Sequence, residues 1–213
     1  ASREKLGTII MVVELIRAFV SIELPFDVKT ALIDKQETLQ VYLPDRTVRW
    51  VDDKGVHLTL NFLGEITYDK VQALHHILGV IARRSTPFTL ALGSLGCFPK
   101  IDKPRVIWIG LLGDLAQLHK IQADIQYGVE HLGHEPDKRK FSPHLTLGRV
   151  RRNTRGIDVK FLEEYLRDVS TVHNSEWSVT EIVLMQSVLL SSGAVYSALG
   201  RFPLTNSRTT TCA

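Results

Sequence analysis

The chain has 213 residues, 44% of them apolar and 23% charged, with a formal net charge of +3. That balance suits one large domain or two closely packed lobes around a real core, and it excludes disorder or membrane insertion as a reading of the whole chain. The mild basic bias is compatible with an anionic ligand without identifying one. Two distant cysteines, Cys97 and Cys212, exclude a disulfide framework and a cysteine-based metal site, and make a reducing cytoplasm the default compartment.

Residues 1–16 read as a leader, with the first ten in part foreign to a natural chain starting at Met11. Glu14, Arg17 and Glu23 interrupt the apolar run there, and no small-residue cleavage site follows, so export and membrane anchoring are poor readings. RAFVSIEL (17–24) reads as the first strand, stopped by Pro25. Asp27 is expected to cap a helix that carries Val28, Ala31, Leu32 and Leu39 on one face. VRWVD (48–52) and HLTLNFLG (57–64) follow as strands separated by the turn signal Asp53-Lys54-Gly55. Thr67 is expected to cap a second helix with Val71, Leu74, Leu78 and Ile81 inward, and PFTLALGSLGCF (87–98) reads as a strand broken by glycines.

The pattern then restarts. PRVIWIGLL (104–112) resembles the first strand, and Asp114 is placed to cap a helix with Leu115, Leu118, Gln122, Ile125, Val129 and Leu132 on one face. A basic loop, DKRKFSP, leads into HLTLGRV. A third helix is expected near 158–169, then EWSVTEIVLMQS and AVYSALGRFPL as two closing strands, and a polar tail over 205–213.

The tetrapeptide His-Leu-Thr-Leu occurs twice, at His57 and at His144, 87 positions apart. The spacing from strand to motif also repeats: 38 positions from Phe19 to His57 and 37 from Ile107 to His144. A period this long is no solenoid repeat. It predicts a duplicated α+β fold within a single domain (17–204): two lobes, each with a mainly antiparallel sheet and helices outside, facing a central cleft.

In a strand, residues i and i+2 share a face. His57 and Thr59 therefore point one way, as do His144 and Thr146, while Leu58, Leu60, Leu145 and Leu147 point into the core and fix the register. A single histidine on a strand is usually no more than a satisfied side chain. Two copies that persist while the flanks diverge (Asn61-Phe62-Leu63 against Gly148-Arg149-Val150) call for another reason. Imidazole titrates near neutrality, so a pair of them suits concerted acid–base catalysis, with the threonine hydroxyls as donors to an anion between them. His75-His76 are expected on a solvent-facing helix surface, and His131 and His134 near a helix C-terminus close to its last carbonyls, none with the spacing of a metal site.

The two His-x-Thr motifs, with the flanking RAFVSIELP, PFTLALGSLGCFP, PRVIWIG, FSPHLTLGRV and VLMQSVLLSSGAVYSALGRFPL, resemble the two-histidine (2H) phosphoesterase superfamily. Within it, the resemblance is to the RNA 2′,3′-cyclic phosphodiesterases, also called 2′-5′ RNA ligases or the LigT/ThpR-like family. It implies a bilobal fold and hydrolysis of RNA 2′,3′-cyclic phosphate ends, or of cyclic nucleotides, to 2′-phosphomonoesters. It implies no metal; apart from the resemblance, no other cofactor is expected, and a cytoplasmic monomer is. His57 would be the proton donor to the departing 3′ oxygen and His144 the proton acceptor from water, although a near-symmetric site permits the reverse. Thr59, Thr146 and Arg149 would bind the phosphate. Arg149 is five residues past His144, nominally on the leucine face, so Gly148 is expected to end the regular strand and let it turn back. Its counterpart Phe62 is either a core residue or a base-stacking wall. Arg105, Lys138, Arg139, Lys140, Arg151 and Arg152 are candidates for a basic rim along an RNA strand. Reversible 2′-5′ ligation and a non-catalytic RNA- or nucleotide-binding module are the rival readings.

Overall fold

The first strand, β1 (Leu15–Ile22), starts two residues inside the span read as leader. In a computed structural model of the chain, the described residues are 14–43, 46–135, 140–152, 176–191 and 193–206. The expected helix at 158–169, Lys138, Arg139 and Cys212 lie outside them.

β1 is followed by helix α1 (Phe26–Tyr42), β2 (Val48–Trp50), β3 (Leu58–Thr67), α2 (Tyr68–Arg84), β4 (Phe88–Phe98), β5 (Val106–Gly113), α3 (Leu115–His131), β6 (His144–Val150), β7 (Glu176–Val179), β8 (Glu181–Leu190) and β9 (Gly193–Pro203). One sheet has the order β3-β1-β8-β9, the other β2-β6-β5-β4-β7. Every pairing is antiparallel. The α+β class and the two antiparallel sheets expected from the repeat are thus present.

The helix starts test the capping expectations one by one. Asp114 caps α3, its carboxylate accepting from the Gln117 amide at 3.0 Å. Thr67 is the N-cap of α2 but its side chain makes no capping bond. Asp27 is not the cap of α1: Pro25 holds that position and the helix is under way at Phe26. Asp27 lies in the first turn, where its charge suits the helix dipole. On α3 the buried stripe runs through Leu118, Ile121, Ile125 and Val129, so Ile121 fills the core position assigned to Gln122.

Two expectations are corrected by topology. EWSVTEIVLMQS is not one strand. It breaks at Thr180, leaving β7 on the edge of the second sheet and β8 inside the first. The lobes are also not the two halves of the chain. β2 and β4 of the first half belong to the second sheet, and β8 and β9 of the second half belong to the first. The helices cross over in the same way: α1 packs against β6, and α3 against β3. The repeat is therefore interleaved, which ties the halves together through the main core.

That core gathers the leucines of both motifs, Leu58, Leu60, Leu145 and Leu147, with the inner faces of α1, α2 and α3. A separate small cluster, Phe19, Val183 and Met185 with Tyr196, occupies the opposite face of the first sheet. Residues 205 and 206 are not frayed. The Thr205 amide donates to the Ala82 carbonyl and the Asn206 amide to that of Ser85. Among the described residues, no helix is long and apolar enough to cross a membrane.

Candidate active site

The β1–β3 register pairs Ser21 with Thr59 and Phe19 with Phe62. Two steps on β1 thus span three on β3, and the extra residue forms a bulge at Leu60–Asn61. Both of these side chains are buried, and the facing of the strand inverts after them. Phe62 is thereby returned to the face of His57 and Thr59, where it is 54% exposed. The core reading of Phe62 is overturned. The Arg17 guanidinium lies 4.7 Å from its ring centroid, a cation–π contact that covers one face.

β6 repeats the device. Thr146 pairs with Trp108, Gly148 with Ile107 and Arg149 with Val106, which leaves Leu147 as the extra residue. The strand does not end at Gly148, as expected, but continues to Val150, and the bulge turns Arg149 onto the His144–Thr146 face. Gly148 answers to packing instead: a Cβ there would lie 2.4 Å from Val48 Cγ1 and 3.0 Å from the Trp50 ring.

A bulge disrupts the regular ladder, so its carbonyls take partners outside it. The Leu147 carbonyl accepts from the Val51 amide at 2.9 Å and also from Nε2 of Gln36 of α1, 4% exposed, at 2.8 Å; the same Nε2 donates to the Val51 carbonyl at 2.7 Å. At the matching bulge in β3, Asn61 Nδ2 donates to Gln126 Oε1 of α3 at 2.7 Å. In both lobes, then, a glutamine from a crossing helix braces the bulge that shapes the site.

Each catalytic candidate is anchored to the backbone two residues upstream. His144 Nδ1 lies 2.7 Å from the Ser142 carbonyl oxygen. A carbonyl only accepts, so Nδ1 carries the proton and Nε2 of the neutral ring is left as acceptor. His57 has a backbone hydrogen bond with Gly55 that favours its charged form. The surroundings differ. The His57 ring stacks on Phe19 (4.6 Å, 25°) and meets Tyr196 edge-on (5.0 Å). Its pKa is pushed down to about 4, first by burial and slightly by Lys29, against the Gly55 bond and the Glu23 carboxylate, which raise it. His144 meets Phe98 edge-on at 5.0 Å and Trp108 at 6.3 Å.

His57, Thr59 and Phe62 thus share one sheet face, and His144, Thr146 and Arg149 share a face of the other. The two motif strands β3 and β6 run close to each other. Ser21 Oγ and Trp108 Nε1, cross-strand from Thr59 and Thr146, are buried without a hydrogen-bond partner among the described residues. Both leave polar capacity unspent beside the threonines. Arg105, Lys140, Arg151 and Arg152 are exposed. His75 is not solvent-facing as expected; it packs edge-on to Phe202 at 5.3 Å, while His76 is exposed. His131 Nδ1 bonds the Tyr127 carbonyl at 2.8 Å, as a histidine near a helix end should. His134 Nε2 has no hydrogen-bond partner among the described residues. No group of three potential metal ligands occurs among the described residues.

The reading from sequence missed Phe19, Tyr196, Trp108 and Phe98, the aromatic walls behind the two histidines, and Arg49 of β2. Alternation from Ser21 back to Phe19 was a usable signal for one of them. The others depend on pairings between distant segments.

Fold and site together define a class: a duplicated, interleaved α+β protein with a His-x-Thr pair on a motif strand of each of its two sheets. The 2′-5′ RNA ligase superfamily profile matches residues 31–188, and the chain belongs to that family. It is 35% identical over 159 residues to an RNA 2′,3′-cyclic phosphodiesterase of Aquifex aeolicus, spanning 73% of this chain and 81% of the relative. It is 32% identical over 152 residues to the protein of the same name from Aeropyrum pernix, spanning 71% and 84%. The crystal structure of E. coli LigT in apo form superposes with a TM-score of 0.73 at 27% identity, over 91% of this chain and 99% of that one.

Proposed function

We propose that this chain hydrolyses RNA 2′,3′-cyclic phosphate ends to 2′-phosphomonoesters, with His57 and His144 as the acid–base pair. The observation that carries the proposal is the doubled His-x-Thr pair, each imidazole tethered to the backbone two residues before it and each strand bulged at the same place. The relatives named above bear the name of that activity, and E. coli LigT has been solved complexed with phosphate and with 3′-AMP.

Water attacks phosphorus and gives its proton to Nε2 of His144, the nitrogen left free by the Ser142 bond. The bond from phosphorus to the 3′ oxygen breaks, and His57 delivers a proton to that oxygen. The products are a 3′-hydroxyl and a 2′-phosphate. Thr59, Thr146 and Arg149 hold the non-bridging oxygens, a charge-assisted arrangement that strengthens as negative charge builds. Burial favours neutral His57 in the empty cleft. The anionic cyclic phosphate opposes that effect by attracting the imidazolium form, so substrate binding itself charges the acid. The two titrations are coupled and belong to the pair.

The test is an assay with a cyclic-phosphate-ended oligonucleotide in EDTA, with the product position read by NMR or by phosphatase sensitivity. A 2′-phosphate is expected. A 3′-phosphate would overturn the assigned leaving group, and loss of activity in EDTA would overturn metal-free catalysis. Replacing water by a 5′-hydroxyl as nucleophile gives 2′-5′ joining through the same atoms, so joined and hydrolysed products are quantified in one reaction.

A further inference from the structure

β2 pairs with β6 so that Arg49 lies directly opposite Arg149. Directly opposed like charges destabilise an antiparallel pair. The ion pairs among the described residues join Lys100 to Asp102, Lys120 to Asp124, and Arg201 to Glu23 and Glu181; neither Arg49 nor Arg149 takes part. The alternate residues Val48 and Trp50 turn to the opposite face, against Gly148 and the main core. Arg49 therefore shares the site face with Arg149, Thr146 and His144. Its guanidinium reaches away from its own sheet: Nη2 would lie 3.4 Å from a Cβ placed on Gly193, at the β8–β9 turn of the other sheet. A cation on an edge strand often serves to deter strand pairing. That explains Arg49 alone and does not explain Arg149, one strand further in.

We propose that Arg49 and Arg149 form a second anion subsite, which takes the phosphate on the 5′ side of the terminal nucleoside. The two guanidinium groups share one face and have no carboxylate among the described residues to neutralise them, so a phosphodiester relieves a repulsion that the fold otherwise bears. On the second sheet Arg49 stands one strand beyond β6, which carries His144, Thr146 and Arg149. It is thus placed to hold the next phosphate along a strand while Arg149 serves the reacting one. The consequence is a preference for an RNA strand over a cyclic mononucleotide. The inference rests on the function proposed above and deepens it.

The experiment compares a nucleoside 2′,3′-cyclic phosphate with a dinucleotide bearing the same cyclic end, in wild type, Arg49→Ala and Arg49→Lys. Wild type should turn over the dinucleotide with the higher kcat/KM. Arg49→Ala should lower kcat/KM about tenfold or more on the dinucleotide and less than threefold on the mononucleotide, since a lost charge-assisted contact is worth roughly that factor. Arg49→Lys should recover part of the loss. The slope of log kcat/KM against log salt for the dinucleotide should become shallower by about 0.7 in Arg49→Ala, the increment for one phosphate contact on a single strand. An equal loss on both substrates, or an unchanged salt slope, overturns the subsite. Failure of wild type to turn over either substrate would instead overturn the function proposed above. In that event, equilibrium binding of a dinucleotide with a 2′-phosphate end still reads the subsite, and equal affinity in wild type and Arg49→Ala would overturn it.

Discussion

The two halves of the site share a backbone and differ in what they hang on it. β3 and β6 each present His-x-Thr, each bulge at the residue after the threonine, and each return the side chain five places past the histidine to the same face. In the first sheet that side chain is Phe62, and the surroundings are Phe19 and Tyr196. In the second it is Arg149, with Arg49 beside it. Duplication supplies the symmetric part, a His-x-Thr pair on each strand. Divergence at one bulge-controlled position makes one wall aromatic and the other cationic, which suits a ligand with a base at one end and phosphates at the other. The difference also bears on the histidines, because the apolar wall is where burial suppresses the imidazolium.

The comparison breaks most sharply at the histidines themselves. His57→Ala and His144→Ala should each lower kcat by about 10²–10⁴-fold, the usual contribution of a positioned acid or base, with the thermal transition retained. If one variant lost activity and its partner kept it, the symmetric acid–base scheme would be wrong.

The environment of His57 should appear as a pH effect on stability. Its folded pKa of about 4 lies below the reference value of 6.5. Between these values the unfolded chain binds a proton that the folded chain refuses. The stabilisation is therefore complete above pH 6.5, is lost as pH falls toward 4, and changes no further below that. At about 1.4 kcal/mol per pK unit the total is on the order of 3 kcal/mol. Urea titrations of wild type and His57→Gln at pH 7, 5.5 and 4.5 should show the stability difference between them shifting in favour of the variant as pH falls. A constant difference would refute the burial account. Phosphate in the buffer should flatten the wild-type dependence, because a bound anion restores the proton.

The bulges can be attacked from behind. Gln36→Leu takes from the Val51 carbonyl its side-chain donor and from the buried Leu147 carbonyl one of two donors, the Val51 amide remaining. The expected cost is about 1–3 kcal/mol in stability. Because the same bulge aims Arg149, kcat/KM should fall in Gln36→Leu while Gln36→Glu, protonated at low pH and again a donor, recovers it in part. Loss of stability with catalysis intact would confine Gln36 to a structural role.

What the sequence shows of this site is what period 2 can carry. His57 and Thr59, like His144 and Thr146, lie within one unbroken stretch of strand, so their common face follows from spacing alone. Phe62 and Arg149 lie beyond a bulge. A bulge is a mismatch in residue count between two paired strands, and it is invisible until the partner is known. Simple alternation therefore assigned both to the wrong face. Arg49 was hidden for a related reason: a three-residue edge strand owes its place to β6, about a hundred positions later in the chain. The break at Thr180 escaped because β7 and β8 are both strands, and local pattern does not say that a chain changes sheets between them. Asp114 was legible as a cap because capping is settled within three residues.

Phe62→Ala gives the smallest expected effect and the finest test of the divided site. Base–aromatic stacking is worth about 1–3 kcal/mol per base when a ring is freely available. Here Arg17 already occupies one face of the ring, so only the other face is open to a base. The expected outcome is a severalfold rise in KM with kcat nearly unchanged, because stacking holds substrate and transition state alike. Arg149→Ala, at the matched position, should instead lower kcat, since in the proposed reaction its charge meets the phosphate where negative charge grows. If both variants changed KM alone, the aromatic and cationic walls would serve only to bind, and the electrostatic part of catalysis would rest on the threonines and the histidine pair.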